Sequence, residues 1–201
     1  MTEDRQQMFR QRYADGDMPW DSGITPPEIF DILGELPPGK ALDLGCGTGT
    51  VIRDLLRQGW QADGIDFVPR AIELARTKLA NFPPDSHRFF CADVTRLAAL
   101  PELRGPYDLI IDIGCGHSID KALNEAYAAG ISASLRRGGC FMLYASHPRP
   151  ESTVGWTPLQ VARLFKGKLE LFWEQRSYDS ALGVPSSWYR LHKPPEAVKS
   201  D

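Results

Sequence analysis

The densest chemistry in this chain lies at Ala41-Leu-Asp-Leu-Gly-Cys-Gly-Thr-Gly-Thr50, where an apolar run meets three alternating glycines, Gly45, Gly47 and Gly49. Glycine at such a turn permits positive φ and leaves bare backbone for a ligand to approach. The spacing is G-x-G-x-G. A dinucleotide fingerprint needs G-x-G-x-x-G, and Thr50 occupies its third glycine position. That argues against a pyrophosphate seated on the following helix. Three acids surround the turn. Asp43 precedes the glycines and can meet a ligand ammonium, directly or through water. Asp66, 21 residues after Gly45, can accept from both hydroxyls of a ribose and would repel a 2′-phosphate. Asp93 can accept from an exocyclic adenine amine. Each acid alone also reads as a cap for the helix or turn that follows it. Taken with the glycines, the three suit a ligand bearing an ammonium, a diol and an amine, and no phosphate.

A second set lies further along. Asp112-Ile-Gly-Cys-Gly116 repeats the pattern of Asp43-Leu-Gly-Cys-Gly47 and is followed by His117 and Ser118. Two such turns on neighbouring strands would stand side by side at one crevice. The plainer reading is a tight strand-to-helix turn with Ser118 as helix cap. Groups able to carry a proton near that mouth are His117, Tyr144, His147, Tyr189 and His192, since imidazole titrates near neutrality. Each also reads as a structural residue. His87 precedes a strand at its far end and falls outside the site. The stretch from His147 to Pro158 holds Pro148, Pro150 and Trp156, which suits either a pocket wall beside Trp20 or a packed crossover.

These groups need elements to hold them. Strand-type apolar runs occupy residues 40–44, 62–66, 88–92, 107–113 and 139–145. Helical stripes alternate with them: Val51, Ile52, Leu55 and Leu56; then Val68, Ala71, Ile72, Ala75 and Leu79; then Ile119, Ala122, Leu123, Ala126, Ile131 and Leu135. Pro69 suits a first helical position, and Gly138 with Gly139 would end the third helix. Strand alternating with helix implies a mainly parallel sheet covered on both faces. A helix follows Pro158. Residues 169–177 and 186–192 read as an antiparallel edge pair joined by the turn-rich residues 179–185. Two short helices fit residues 3–14 and 26–36.

Composition narrows the partners. The 201 residues fit one domain with a short appendage, at about 100–200 residues per domain. Apolar residues make up 42%, enough for a real core. Lys plus Arg number 23 against 26 Asp plus Glu, giving a net charge of −3. Nucleic acid and anionic membrane surfaces are usually met by clustered positive charge, so neither is expected as a partner. The start, Met-Thr-Glu-Asp-Arg-Gln-Gln, lacks the basic and apolar regions of a signal peptide, and no apolar run is long enough to span a bilayer. Cys46, Cys91, Cys115 and Cys140 are spaced 45, 24 and 25 apart with no C-x-x-C pair. They read as small buried thiols in a reducing, cytoplasmic setting, with no metal site.

Residues 38–145 resemble the core of the class I S-adenosylmethionine-dependent methyltransferases. Leu42-Asp-Leu-Gly-Cys-Gly-Thr-Gly49 is similar to their first motif, Gly64-Ile-Asp66 with the following helix to the second, Phe90-Cys-Ala-Asp93 to the third, and Tyr107-Asp-Leu-Ile-Ile-Asp112 to the fourth. The resemblance implies a Rossmann-like, doubly wound α/β fold with a seven-stranded sheet in the order 3-2-1-4-5-7-6, strand 7 antiparallel. It implies S-adenosyl-L-methionine as cofactor. The contacts it implies are Trp20, Asp43, Gly45, Cys46, Gly47, Gly49, Asp66, Phe67, Asp93, Val94 and Ile113. Pro19-Trp20-Asp21-Ser-Gly-Ile-Thr-Pro-Pro27 resembles the lead-in of the thiopurine, thiol/halide and tellurite-resistance-type members. There the segment covers the cofactor, so residues 1–37 would form a helical lid and residues 38–201 the methyltransferase domain, with Trp20 helping to exclude water.

The expected activity is methyl transfer to a small-molecule nucleophile: a soft sulfur, selenium, tellurium or halide acceptor, or a phenol. His117, His147 and Tyr144 are its candidate catalytic groups, and a monomer or weak homodimer its expected state. A nicotinamide-dependent oxidoreductase is opposed by Thr50 and by the extra acid Asp93. A cofactor-binding partner or sensor without turnover stays open. A nucleic-acid methyltransferase would want an Asn/Asp-Pro-Pro-Tyr motif, which the chain lacks.

Overall fold

The structure is a computed structural model that describes residues 3–103, 105–150, 152, 154–180 and 183–195. Two helices, α1 (Glu3–Asp15) and α2 (Pro27–Glu35), precede the alternating region. That region runs β1 (Lys40–Leu44), α3 (Thr50–Arg57), β2 (Gln61–Asp66), α4 (Pro69–Lys78), β3 (His87–Cys91), β4 (Tyr107–Ile113), α5 (Asn124–Ser134) and β5 (Leu135–Ser146). It closes with α6 (Pro158–Phe165), β6 (Glu170–Asp179) and β7 (Val184–His192). The sheet order is β3-β2-β1-β4-β5-β7-β6. Neighbours among β1 to β5 are parallel, and β7 runs antiparallel to both β5 and β6. The expected fold is therefore the observed one.

Period-2 alternation sorts the strand side chains between two buried clusters. Ile110, Phe141, Leu143 and Ala145 enter one, with Tyr127, Ile131 and Phe165 from α5 and α6. Leu109, Ile111 and Met142 enter the other, with Ile29 and Ile32 from α2, Ile52 and Leu55 from α3, and Ile72 from α4. A fully buried side chain of this size contributes about 1.5–3 kcal/mol, so both faces of the sheet are firmly held. Below it, Arg88 grips the buried Asp63 through two hydrogen bonds of 3.0 and 2.9 Å, and the Tyr107 hydroxyl donates to the same carboxylate at 2.6 Å.

Three local expectations change. Ile119, Ala122 and Leu123 lie in or beside two 3₁₀ turns, Gly116–Ser118 and Lys121–Leu123, and α5 starts only at Asn124. Asp120 caps the second turn by accepting from the Ala122 amide at 3.0 Å, whereas the Ser118 hydroxyl donates back to the Cys115 carbonyl. Leu135 opens β5 opposite Tyr107. Gly138 (φ +72°) and Gly139 therefore sit inside the strand, where the register shifts between Tyr107 and Leu109. Here the glycine pair marks an irregularity in the ladder, a common use of Gly within strands. Residues 181 and 182 of the expected edge turn, and 196–201 of the expected main domain, lie outside the described residues.

Candidate active site

The first glycine turn crosses the carboxyl end of β2. Gly45 and Cys46 both donate to the Ile65 carbonyl, at 2.8 and 2.9 Å. Gly45 adopts φ +72°, and a Cβ there would stand 2.7 Å from that of Cys115. Gly47 adopts φ +52°, and its Cβ would stand 3.0 Å from the Tyr13 hydroxyl. Both positions thus require glycine for conformation and for space. Asp66 ends β2 and ties the turn down. One carboxylate oxygen accepts from the Gly47 amide at 3.1 Å, the other from the Val68 amide at 2.9 Å. Burial pushes its pKa up despite those bonds. Asp93 lies two residues beyond β3. A single oxygen, Oδ1, takes both Thr95 bonds at 2.8 Å, leaving Oδ2 to the exposed side. Phe67 and Ile113 are half-buried and Val94 buried around these ends.

The two Asp-x-Gly-Cys-Gly turns stand side by side, as β1 and β4 are neighbours with Leu44 opposite Asp112. Their acids behave differently. Asp112, 0% exposed, is saturated: it accepts from the Cys115 and Gly116 amides at 2.8 Å each and from the Tyr127 hydroxyl at 2.6 Å. Burial still raises its pKa, to about 6. Asp43 is 3% exposed, and no side chain or turn amide among the described residues donates to its carboxylate. Burial first, then the charges of Asp112 and Asp66, push it up to about 8. A cation arriving at the turn would oppose these effects by stabilising the ionised form.

The N-terminal segment closes over this crevice. Tyr13 of α1 is buried over the turn, and burial together with Asp66 raises its pKa. Trp20 donates to the Tyr13 hydroxyl at 3.3 Å and packs edge-on to Phe9 and Tyr13, with ring centroids 5.0 and 5.7 Å apart. It stays 43% exposed, so Tyr13 makes the direct contact and Trp20 backs it. Asp21 latches the segment to the turn itself. It accepts from the Thr48 hydroxyl and from the Thr50 hydroxyl (3.2 Å), and Lys78 binds both threonines. Thr25 adds a bond to the buried Asp54 at 2.7 Å.

On the acceptor side, His117 follows the second turn and is 6% exposed. Its ring nitrogens lie 3.3 Å from the Ser146 amide and hydroxyl. Burial, then the Arg5 guanidinium, lowers its pKa to about 4. Tyr144 donates to Asp179 at 3.0 Å, and burial raises its pKa to about 12. His147 is half-buried, with Nε2 3.1 Å from the Ser187 hydroxyl, which donates to Glu174. Two other mouth candidates lie elsewhere. Tyr189 pairs with Leu143 in mid-sheet and is fully buried, while His192 pairs with Cys140 at the lower end and binds Glu170 at 3.1 Å. β7 runs antiparallel, so its last residues point away from the crevice. Trp156 is 5% exposed against Tyr127, ring centroids 5.9 Å apart, as a core anchor.

A family model described as a methyltransferase domain matches residues 41–139, the span that carries both turns and all four motifs. Over this span the chain is similar to the class I S-adenosylmethionine-dependent methyltransferases. It is 30% identical over 152 residues to the 2-heptyl-1-hydroxyquinolin-4(1H)-one methyltransferase of Mycobacteroides abscessus, covering 71% of this chain and 65% of that protein. It is 26% identical to a probable thiol methyltransferase 2 of Arabidopsis thaliana, covering 69% of this chain and 61% of the other. The chain thus spans less than two thirds of the length of these relatives. In fold it is similar to the Burkholderia thailandensis 1,6-didemethyltoxoflavin-N1-methyltransferase, crystallised with S-adenosylhomocysteine: TM-score 0.77, 21% identity, 94% of this chain and 87% of that one.

The donor set of the crevice fits S-adenosyl-L-methionine, the cofactor of the proteins it is similar to. The turn offers bare backbone, Asp43 a buried carboxylate to which no described side chain donates, Asp66 and Asp93 acceptors at successive strand ends. Sequence reasoning missed Tyr13, Asp21, Thr48, Thr50 and Lys78. The threonines were visible within the glycine motif and Asp21 beside Trp20, but only the folded segment brings them together.

Proposed function

We propose that this protein is a methyltransferase that transfers a methyl group to a small-molecule nucleophile, a soft chalcogen or halide acceptor or a phenol-like oxygen. Bound at the glycine turn, S-adenosyl-L-methionine supplies an electrophilic methyl on a positive sulfur that leaves as a neutral thioether. The observation that carries the reading is the carboxylate group at that turn. Asp43 has no hydrogen-bond donor among the described residues, and burial, then Asp112 and Asp66, raise its pKa, so a cation in the crevice would be held by its ionised form. Asp66 would hold a ribose diol, Asp93 an exocyclic amine, and Tyr13 with Trp20 would keep water out.

Because the leaving group is neutral, alignment is the main task. Positioning alone can lower a barrier by up to ~7–11 kcal/mol. His117, held neutral against Ser146, would shape the acceptor side. His147, hydrogen-bonded through Ser187 to Glu174, is the better-placed base for an acceptor that must lose a proton. Titration calorimetry with S-adenosylmethionine and S-adenosylhomocysteine, followed by mass detection of methylated thiols, halides, reduced chalcogen oxyanions, phenols and N-hydroxyquinolones, tests it. Absence of affinity for both cofactor forms would end the reading.

A further inference from the structure

Near the crevice end of β5, Tyr144 is held on three sides. Its carbonyl accepts from the Gly114 amide at 3.1 Å. Its ring packs against the buried Trp188, centroids 5.0 Å apart. Its hydroxyl donates to Asp179, the last residue of β6, at 3.0 Å. Strand pairing shows where that hydroxyl lies. Tyr144 is level with Ile113 of β4 and Trp188 of β7. Asp179 is level with Val184, further along β7 toward the crevice. That offset is roughly 13 Å along the strand, more than an aspartate side chain spans, so the tyrosine ring leans toward the crevice end of the sheet.

The same register ties Tyr144 to the cofactor turn. Leu44 is opposite Asp112, so the residues that follow them, Gly45 and Ile113, form one row with Tyr144 across β1, β4 and β5. At about 4.8 Å per strand, Gly45 and Tyr144 are roughly 10 Å apart at the backbone. Tyr144 is only half-buried. Its proton is committed to Asp179, so toward any third group its oxygen can only accept. On the same face, one pair nearer the crevice, the buried Ser186 hydroxyl makes no hydrogen bond to a described residue. It is a spare donor for an oxygen that takes up charge.

We propose that Tyr144 receives the proton of a hydroxyl or thiol acceptor, and that Asp179, the positioning residue behind it, takes up the tyrosine's own. This deepens the methyltransferase reading above and rests on it. The acceptor's lone pair forms the new bond to the methyl carbon. The carbon–sulfur bond breaks and its electron pair stays on sulfur. The acceptor's proton passes to the tyrosine oxygen as the tyrosine's proton passes to the carboxylate. Tyr144 ends as it began, and the sulfonium's charge is cancelled against that of Asp179. Burial raises the pKa of Tyr144 to about 12, so the tyrosine acts as a relay and not as a standing phenolate. His117 offers no open lone pair, because both its ring nitrogens face Ser146. His147 falls on the opposite face of the strand, against Ser187, which makes it a separable rival for the same proton.

The test begins with S-adenosylhomocysteine binding to the wild type, Tyr144→Phe, Asp179→Asn and Asp179→Glu. Affinities within about 2-fold of one another show that each variant is folded and that the cofactor site is untouched. Turnover at saturating S-adenosylmethionine is then followed by mass. The hydroxyl acceptors are 4-methylphenol, 4-cyanophenol and 1-hydroxyquinolin-4(1H)-one; iodide and 4-nitrothiophenolate bring no proton. Tyr144→Phe and Asp179→Asn should each lower kcat on the hydroxyl acceptors at least about 10-fold more than on iodide or thiolate, and change KM by less than about 3-fold. The double variant should lose no more than Tyr144→Phe alone, because Asp179 acts only through the tyrosine. Asp179→Glu should recover part of the loss. Equal losses on both kinds of acceptor would assign the pair to packing and overturn the proposal. Hydroxyl rates that neither variant lowers, or a loss confined to His147→Gln, overturn it as well. So does a wild type that methylates none of the hydroxyl acceptors while binding S-adenosylhomocysteine. A wild type that does not bind S-adenosylhomocysteine removes the methyltransferase reading itself and this inference with it.

Discussion

Replacing Asp43 with Asn tests the electrostatic account of the cofactor crevice most directly. In the folded chain Asp43 is pushed up to about 8 by burial, Asp112 and Asp66, so near neutrality it carries a proton. An incoming cation selects the ionised form, and binding must release that proton. Between pH 6 and 7, where an α-ammonium stays charged, cofactor affinity should tighten roughly ten-fold. Calorimetry at pH 7 in buffers of different ionisation enthalpy should show close to one proton released. Asp43→Asn should bind more weakly and lose both the pH slope and the proton. Stability gives a second readout. A carboxyl whose folded pKa is raised keeps its proton after the unfolded chain has lost it, so stability falls as pH rises from about 4 to about 8. Asn carries no such penalty. Ligand-free Asp43→Asn and wild type should therefore match below pH 4. Above it the variant should gain roughly 1.4 kcal/mol per pH unit until about pH 8. Urea titrations across that range measure the difference. A variant that keeps the wild-type pH slope for cofactor affinity would refute the reasoning.

Asp66→Ala removes the acceptor that ties down the turn and, in the proposed reading, would hold a ribose, and calorimetry should show cofactor binding weakened by ~1–3 kcal/mol. Asp21→Ala cuts the latch to Thr48 and Thr50, so limited proteolysis between α1 and α2 should accelerate, and cofactor should reverse it less completely than in the wild type. Asp63→Ala removes the buried carboxylate that Arg88 and the Tyr107 hydroxyl share; unfolding measurements should show a loss of about 2–3 kcal/mol, with cofactor affinity unchanged. If His147 acts as a base on protic acceptors, Glu174→Gln should shift the acidic limb of the rate profile and spare cofactor affinity. An unmoved limb would leave His147 a structural role.

The sheet was legible because most of its strands contain a short apolar run bounded by a turn signal, and α3 and α4 each carry one clear stripe. The glycine turn and its acids were legible for a related reason: bare backbone and carboxylates at strand ends leave a local trace. Long-range effects left none. His192 looked like a mouth residue until the antiparallel course of β7 carried it to the far end of the sheet. The Gly138-Gly139 pair reads as a helix stop in one dimension and sits within β5 in three. Tyr13 occupies a helix of mostly polar residues, whose pattern gives no hint that one face covers a crevice.

The paired Asp-x-Gly-Cys-Gly turns have diverged in what their acids are for. At 112 the carboxylate is enclosed by a tyrosine and two amides, so its loss would be felt in every molecule, loaded or empty. At 43 the charge is withheld until a visitor arrives, so an amide there would steady the resting protein and do its harm only on occupancy. One five-residue pattern used twice, with four positions identical, thus places one acid under the discipline of folding and its twin under that of binding, and drift at the two sites should follow separate courses.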